Sequence, residues 1–174
     1  LGTTDALTSE SGLDLRANEW WLPSRLHAHR FEYEGRGLDT FQERRDNVLL
    51  EGQKSGERSD LRYSADASDV RIDSTGQSYT DRGASAGASF YFGDERRTRW
   101  SNDARWREQS GSLETTNEGF SSLLHERWSD TLDSDHRLLL ARAENAGASS
   151  DTLTLGSDVT HRLFESLTST LSGT

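Results

Sequence analysis

The sequence has 174 residues, with 20 Lys and Arg against 30 Asp and Glu, a formal net charge of -10, no Cys and no Met. Only 31% of the residues are hydrophobic and the mean hydropathy is -0.85, so we do not expect a large conventional core. The lack of Cys excludes disulfides and thiolate metal sites, and an acidic chain without a Lys/Arg run argues against nucleic acid as a partner.

Apolar and polar residues alternate weakly in the first half of the chain, a period that predicts β-strands. The alternating apolar positions are Leu13, Leu15 and Ala17, then Leu61, Tyr63 and Ala65, and then Val70 and Ile72. Between residues 25 and 34 the phase changes from Leu26 and Ala28 to Phe31 and Tyr33. This change predicts a β-bulge or a different strand boundary.

Two segments are open to a helical as well as a β interpretation. Residues 38–51 lack clean alternation, and Thr40 followed by Glu43 matches a capping box, so a short helix over residues 39–51 is one reading. Residues 133–146 contain the stretch 138–144, which precedes Gly147 and matches a helix with a glycine cap. The sequence alone leaves both segments undecided between strand and helix.

Alternation is strongest in the second half. From Ala84 to Phe92 every second residue is apolar, and the alternate positions from Gly83 to Ser89 are glycine or serine. The turn signal Gly93-Asp94-Glu95 follows. From Trp100 to Trp106 one strand face carries both tryptophans, and the opposite face is wholly polar. The segment SDTLTLGSDVTHRLFESLTSTL, residues 150–171, predicts a hairpin. Residues 127–132 and 162–167 also echo each other at an offset of 35 residues, which fits one up-and-down pair of strands. Together these signals predict about ten strands.

Strands with one apolar and one polar face belong either to a soluble sandwich or to a membrane barrel. Trp100 and Trp106 lie about 20 Å apart along a strand, and Phe120 and Trp128 about 26 Å, close to the ~25 Å apolar band of membrane barrels. We therefore expect an aromatic girdle at Trp20, Trp21, Trp100, Trp106, Phe120 and Trp128. The alternative is that these side chains anchor the core of a soluble β protein.

A set of charged residues forms the most informative polar group. In a barrel we expect these residues to face the lumen, with opposite charges paired across strands: Arg62, Asp66, Arg71, Arg99, Asp103, Arg105, Arg107 and Asp158. They would then either select small hydrophilic solutes through a transverse field or only hydrogen-bond one another in a plugged interior.

The sequence contains no recognisable catalytic or metal-binding motif. His27 and His29 share a strand face, but no third metal ligand can be named. No triad, phosphate loop or cofactor motif is recognisable, so we expect no catalysis, no metal and no cofactor.

Residues 84–92, 100–106, 120–132 and 150–171 make the chain resemble a bacterial outer-membrane β-barrel protein of the porin-like, proteobacterial kind. The resemblance implies an all-β, antiparallel up-and-down transmembrane β-barrel, with residues 1–174 forming one barrel domain or part of one. It also implies location in the outer membrane of a Gram-negative bacterium, contact with its lipid, and transport. Such barrels commonly end in a terminal aromatic, whereas this chain ends Ser172-Gly173-Thr174, so we expect a fragment.

Two functions from different classes remain open. The first is a porin-like passive channel or structural barrel, which exchanges small hydrophilic solutes. The second is a soluble, secreted or cell-surface β-rich binding module, a sandwich or an adhesin-like sheet, which recognises carbohydrate or protein. The transported solute, the pore state, the oligomeric state and the loops that face outward are not encoded in any motif.

Overall fold

A computed structural model describes residues 5–19, 21–36, 41–72, 76–93, 96–111, 114–164 and 167–173. These residues form one antiparallel β-sheet. Its strands are β1 (Asp5–Ala17), β2 (Ser24–Arg36), β3 (Phe41–Ser55), β4 (Ser59–Ile72), β5 (Gln77–Phe92), β6 (Thr98–Gly111), β7 (Thr115–Arg127), β8 (Leu132–Asn145), β9 (Ala148–Phe164) and β10 (Leu167–Gly173).

The sheet has up-and-down topology, in which every strand pairs with the next strand along the chain. Nine strands have 13 to 17 residues, and β10 has seven. The expected all-β, antiparallel architecture of about ten strands is confirmed. Among the described residues no ladder joins β1 to β10, so the sheet is open and presents two edges.

The helical readings of the two ambiguous segments are wrong. The described part of residues 38–51 belongs to β3, and residues 133–146 belong to β8 apart from the turn residue Ala146. Each strand is hydrogen-bonded to a neighbour on both sides, which outweighs a local capping pattern. In the described residues there is no helix long and apolar enough to span a membrane.

The phase change between residues 25 and 34 does not produce a bulge. The register of β2 with β1 and with β3 is continuous over this region. Leu26 and Ala28 therefore lie on one face of the sheet and Phe31 and Tyr33 on the other. In the first half of β2 the apolar residues lie on one face, and in the second half they lie on the other. The alternation of the sequence therefore changes phase although the strand is regular.

The turns lie at two ends of the sheet. Ala146 and Gly147 connect β8 to β9 in a two-residue turn with φ values of 47° and 85°, the positive values that a type I′ hairpin turn requires. At the opposite end, the first of the two repeated segments, residues 127–132, connects β7 to β8, and Arg162, the first residue of the second segment, donates its amide N–H to the Thr131 carbonyl at 2.7 Å. Their offset of 35 residues is therefore the length of one hairpin repeat.

The described residues form no conventional core. Among them, the buried hydrophobic residues are Leu22 and Val70. Large apolar side chains are instead exposed on the sheet, including Leu15, Leu153 and Leu155. A single layer of sheet leaves one whole face without a packing partner, so burial within the chain does not account for these leucines.

Candidate functional site

The register assigns every strand residue to one of two faces, because directly paired residues of neighbouring strands point to the same side. We call the face that carries Arg62, Asp103 and Arg107 the ionic face. We call the opposite face, which carries Leu26, Trp100 and Leu140, the apolar face. The ionic face is the candidate site.

An ion pair on the ionic face spans two strands. Arg62 on β4, Gly87 on β5 and Asp103 on β6 lie in one row of the sheet. The Arg62 Nη2 donates to both carboxylate oxygens of Asp103, at 2.7 and 2.6 Å. A Cβ at Gly87 would lie 2.7 Å from Arg62 Nε, closer than real side chains pack. The Arg62 side chain therefore crosses β5 flat against the backbone of a glycine.

The next row but one on this face carries the two charges in the opposite order. Asp66 on β4, Gly83 on β5 and Arg107 on β6 are aligned. Arg107 donates to Asp81, with Nη2 2.6 Å from Oδ2, and the same nitrogen lies 3.7 Å from an oxygen of Asp66. A Cβ at Gly83 would be 2.7 Å from Asp66 Oδ1, so glycine again leaves the room for the crossing.

Two more arginines lie over glycines further along the sheet. Arg137 donates to Asp158 and lies against Gly156, where a Cβ would be 3.1 Å from Arg137 Cγ. Arg105 lies against Gly119, where a Cβ would be 2.9 Å from its Nε. Arg105 has no ion-pair partner among the described residues, so it presents an uncompensated positive charge on the ionic face.

The ionic face lies on the concave side of the sheet. A cavity of about 560 Å³ is lined mainly by residues of this face, from Ser64 and Asp66 on β4 to Ser150 and Thr152 on β9. Strands five positions apart in the sheet border one cavity only if the sheet curves around it. The charged and hydroxyl side chains therefore line the inside of a curved, water-accessible surface.

Seven of the eight charged residues predicted to lie together share the ionic face. They are Arg62, Asp66, Arg99, Asp103, Arg105, Arg107 and Asp158. The eighth, Arg71, lies on the apolar face, where its Nε is 3.3 Å from Asp69 Oδ1. The prediction that Arg71 shares a face with the other seven is wrong. Arg71 lies an odd number of positions from Arg62 and from Asp66 on β4, and residues at odd spacing in a strand point to opposite faces.

Sequence reasoning missed the role of the glycines beneath the charged side chains and several ion-pair partners. The ionic face also carries Asp81, Arg137 and the ion pair of Asp14 with Arg25. In that pair the Arg25 Nε lies 2.9 Å from Asp14 Oδ2. The usable signal was the spacing of Gly83 and Gly87, since four residues place both on one face of a strand. Glycine in a strand often marks a site where another group approaches the backbone closely.

The apolar face carries an oblique band of apolar residues. The band includes Leu13, Leu15, Leu26, Ala28, Val48, Leu50, Leu61, Ala65, Ala84, Ala86, Ala88, Phe90, Trp100, Ala104, Trp106, Phe120, Leu124, Leu138, Leu140, Leu153, Leu155 and Leu171. Beyond its margin the same face is charged, as at Arg30 and Asp46, whose Nε and Oδ1 lie 2.5 Å apart.

The predicted girdle residues fall at different heights on the sheet. Trp21 and Trp128 lie in turns at one end, and Trp100 lies near that end of β6. Trp106 and Phe120 lie on the apolar face, deeper along the strands. The indole N–H groups of Trp100 and Trp128 donate to Ser122 and Ser134 at 2.9 and 3.1 Å, respectively. Trp20 lies outside the described residues.

The histidines form pairs on different faces. On the ionic face His27 stacks on His29, with 6.5 Å between ring centroids, and His125 is 2.8 Å from Asp135. On the apolar face His136 Nδ1 is 2.9 Å from Ser157 Oγ. Because the His–Asp and Ser–His pairs lie on opposite faces, they do not combine into a triad. The described residues contain no group of three or more His, Cys, Asp or Glu arranged for a metal ion.

The fold and the ionic face define a class by geometry: a single-layer, curved, up-and-down β-sheet with an ionic concave face and an apolar face. Comparison with known proteins adds no family to this description. No family model matches the chain, no curated protein matches its sequence and no solved structure matches its fold.

Proposed function

We propose that the chain is an integral β-barrel of the bacterial outer membrane that works as a porin-like passive channel for small hydrophilic solutes. In this proposal the apolar face contacts lipid, the ionic face lines a water-filled interior, and no catalysis takes place. The observation that carries the proposal is the single-layer sheet whose large apolar residues form a band on one face, with no core beneath it in the part of the chain that the structure describes.

Lipid is the solvent that makes this distribution of residues stable. An exposed leucine forgoes about 1.5–3 kcal/mol relative to a buried one, and the band contains many such side chains. Membrane barrels bury the outward residues in the bilayer and keep the inward ones in water, so they need apolar residues at only every second position. The low hydrophobic content of the chain fits this arrangement.

The ionic face supports a channel rather than a plugged interior. Arg62 lies along the sheet across Gly87 instead of projecting from it, and the charges of Arg62 and Arg107 are compensated within the wall by Asp103 and Asp81. Side chains that lie flat leave the space in front of the wall to water. Arg105 adds a charge that has no ion-pair partner among the described residues and that passing solutes would meet.

The first test compares far-UV circular dichroism of the chain in buffer and in detergent micelles, together with the gel mobility of heated and unheated samples. We expect β signal only in detergent and a mobility that changes on heating. Stable β signal and a monodisperse monomer in plain buffer would contradict the proposal and favour the soluble binding module.

A matched pair of substitutions tests which face meets lipid. Leu139 and Leu140 are adjacent on β8 and are 39% and 42% exposed, but Leu139 lies on the ionic face between Ser121 and Thr154, and Leu140 lies on the apolar face between Phe120 and Leu153. Arginine facing lipid near the bilayer midplane costs about 2–4 kcal/mol, whereas an exposed position in water usually changes stability by less than about 0.5 kcal/mol.

We therefore expect Leu140→Arg to destabilise the protein in phospholipid vesicles by about 2–4 kcal/mol and Leu139→Arg to have little effect. Urea unfolding monitored by circular dichroism measures both. Equal effects of the two substitutions would refute the assignment of the apolar face to lipid. Planar-bilayer recording then tests conduction: stepwise conductance supports a channel, and a folded but silent protein supports a structural barrel.

A further inference from the structure

The strands β1 and β10 are the two edges of the sheet, and in the described ladders each of them pairs on one side only. Unpaired backbone groups cost several kcal/mol each in hydrocarbon, so a sheet in lipid must close. Ten strands in up-and-down order make β1 and β10 antiparallel to each other, the relation that two edges need to form a further antiparallel ladder. The inference below rests on the proposed membrane barrel.

The register of the sheet determines how the two edges would be staggered. The row through Leu171 passes on the apolar face through Val159, Ser134, Glu126, Thr98 and Phe92. Extended through the registers of β4, β3 and β2, this row reaches the line of β1 at position 23. Pairing Leu171 with Leu13 therefore closes the sheet with a stagger of ten residues.

Barrel geometry restricts the choice of stagger. With a rise of about 3.3 Å per residue and a strand spacing of about 4.8 Å, a stagger of ten residues around ten strands tilts the strands by about 35°. Staggers of twelve and fourteen give about 40° and 44°, and all three fall within the usual range of about 35–45°. Odd staggers are excluded because they would place the apolar face of one edge beside the ionic face of the other.

The apolar band distinguishes the three remaining staggers. Leu171 is 75% exposed on the apolar face of β10, and Leu13 is 52% exposed on the same face of β1. A stagger of ten places these two leucines opposite each other and continues the band across the seam. Staggers of twelve and fourteen would place Leu171 opposite Ser11 and Ser9. Direct cross-strand apolar pairs stabilise a sheet, so the stagger of ten is favoured.

We propose that β10 pairs with β1 of the same chain, with Leu171 opposite Leu13, and closes the sheet into a ten-stranded barrel with a stagger of ten residues. In this register residues 167–173 face residues 11–17, so the whole of β10 is covered by described residues of β1. In this proposal the partner of each edge is the other edge of the same molecule.

Cysteine cross-linking tests the register, since the chain has no cysteine of its own. The full chain carrying Leu13→Cys and Leu171→Cys is folded in detergent micelles, oxidised and examined by non-reducing electrophoresis and by mass spectrometry of its peptides. The matched controls pair Leu171→Cys with Ser11→Cys or with Ser9→Cys. Opposite residues lie within disulfide range, whereas residues displaced by two positions are about 7–8 Å apart.

We expect the bridge between positions 13 and 171 to form within one chain and at least tenfold faster than either control bridge. Faster bridging at position 11 or 9, bridging mainly between two chains, or no bridging by any variant in detergent would overturn the proposed seam. In the unsubstituted chain, we also expect amide protons of residues 167–173 to exchange as slowly as those of central strands, and fast exchange would overturn the seam.

Failure of the seam differs from failure of the proposed function. If β signal requires detergent and only Leu140→Arg destabilises the protein, but the bridge forms elsewhere, the membrane location stands and the register is wrong. If β signal persists in plain buffer, the proposed function fails, whatever the cross-linking result.

Discussion

Replacing Gly52 by alanine should destabilise the sheet through a contact on the apolar face. Tyr63 on β4 crosses Gly52 on β3, and its hydroxyl group lies 2.7 Å from Ser24 Oγ on β2. A Cβ at Gly52 would lie 2.3 Å from Cε1 of the Tyr63 ring and 2.8 Å from the backbone oxygen of Pro23. Because that oxygen also accepts a hydrogen bond from the Gln53 amide at 3.2 Å, the backbone cannot move freely.

The magnitude follows from three opposing contributions. Overpacking typically costs about 1–3 kcal/mol, and loss of the hydrogen bond between Tyr63 and Ser24 about 0.5–1.5 kcal/mol. Replacing glycine by alanine stabilises by about 0.4–1 kcal/mol where the backbone conformation permits it, because the unfolded chain loses freedom. We therefore expect Gly52→Ala to reduce the free energy of unfolding by about 2 kcal/mol.

Gly12 provides the control for this substitution. A Cβ at Gly12 would meet the Ala28 oxygen at 3.4 Å, an ordinary contact, so Gly12→Ala should be neutral or slightly stabilising. Equilibrium unfolding in urea, followed by circular dichroism in the medium in which the protein folds, measures both variants. If Gly52→Ala unfolds at the same urea concentration as Gly12→Ala, or at a higher one, the clash with Tyr63 does not exist.

Three further predictions concern single residues. Ala146→Asn should stabilise the protein by about 1 kcal/mol, because asparagine tolerates the positive φ that Ala146 adopts, and an unchanged or lower melting temperature would refute this. Arg62→Gln should cost up to about 1 kcal/mol at low salt by leaving Asp103 unpaired, whereas Arg105→Gln should cost less; equal losses would contradict the pairing. In a single-tryptophan variant that keeps Trp100, lipids with brominated acyl chains should quench the emission, and unquenched emission would place Trp100 in water.

The strands could be predicted where the two faces differ in polarity and could not where both faces carry charge. In β5, β6 and β9 apolar residues alternate with Gly, Ser, Thr and charged residues, so a period of two is visible in the sequence. In β3 the apolar face continues into Arg44 and Asp46, beyond the margin of the band, and the alternation disappears. The strand is then specified by ladders on both sides, which no local pattern displays.

The composition of the ionic face could be predicted, but its pairing could not. Alternation placed Arg99, Asp103, Arg105 and Arg107 on one side of β6. The partner of Arg62, however, lies 41 residues away on β6 and two strands distant in the sheet, and the pair forms because the intervening residue is a glycine. Such a contact depends on the register of three strands at once, which spacing along the chain does not encode.

The glycines beneath the arginines have a consequence for the width of a passage. A closed ring of ten strands tilted by about 35° has a backbone radius of about 9 Å. A guanidinium that lies against Gly87 or Gly119 adds a lining about one atom thick, about 4 Å, and leaves an opening of about 5 Å in radius. A larger residue at either glycine would lift the arginine toward the axis and narrow that opening without changing the charge. The bore would therefore be set by the residues with the smallest side chains in the wall.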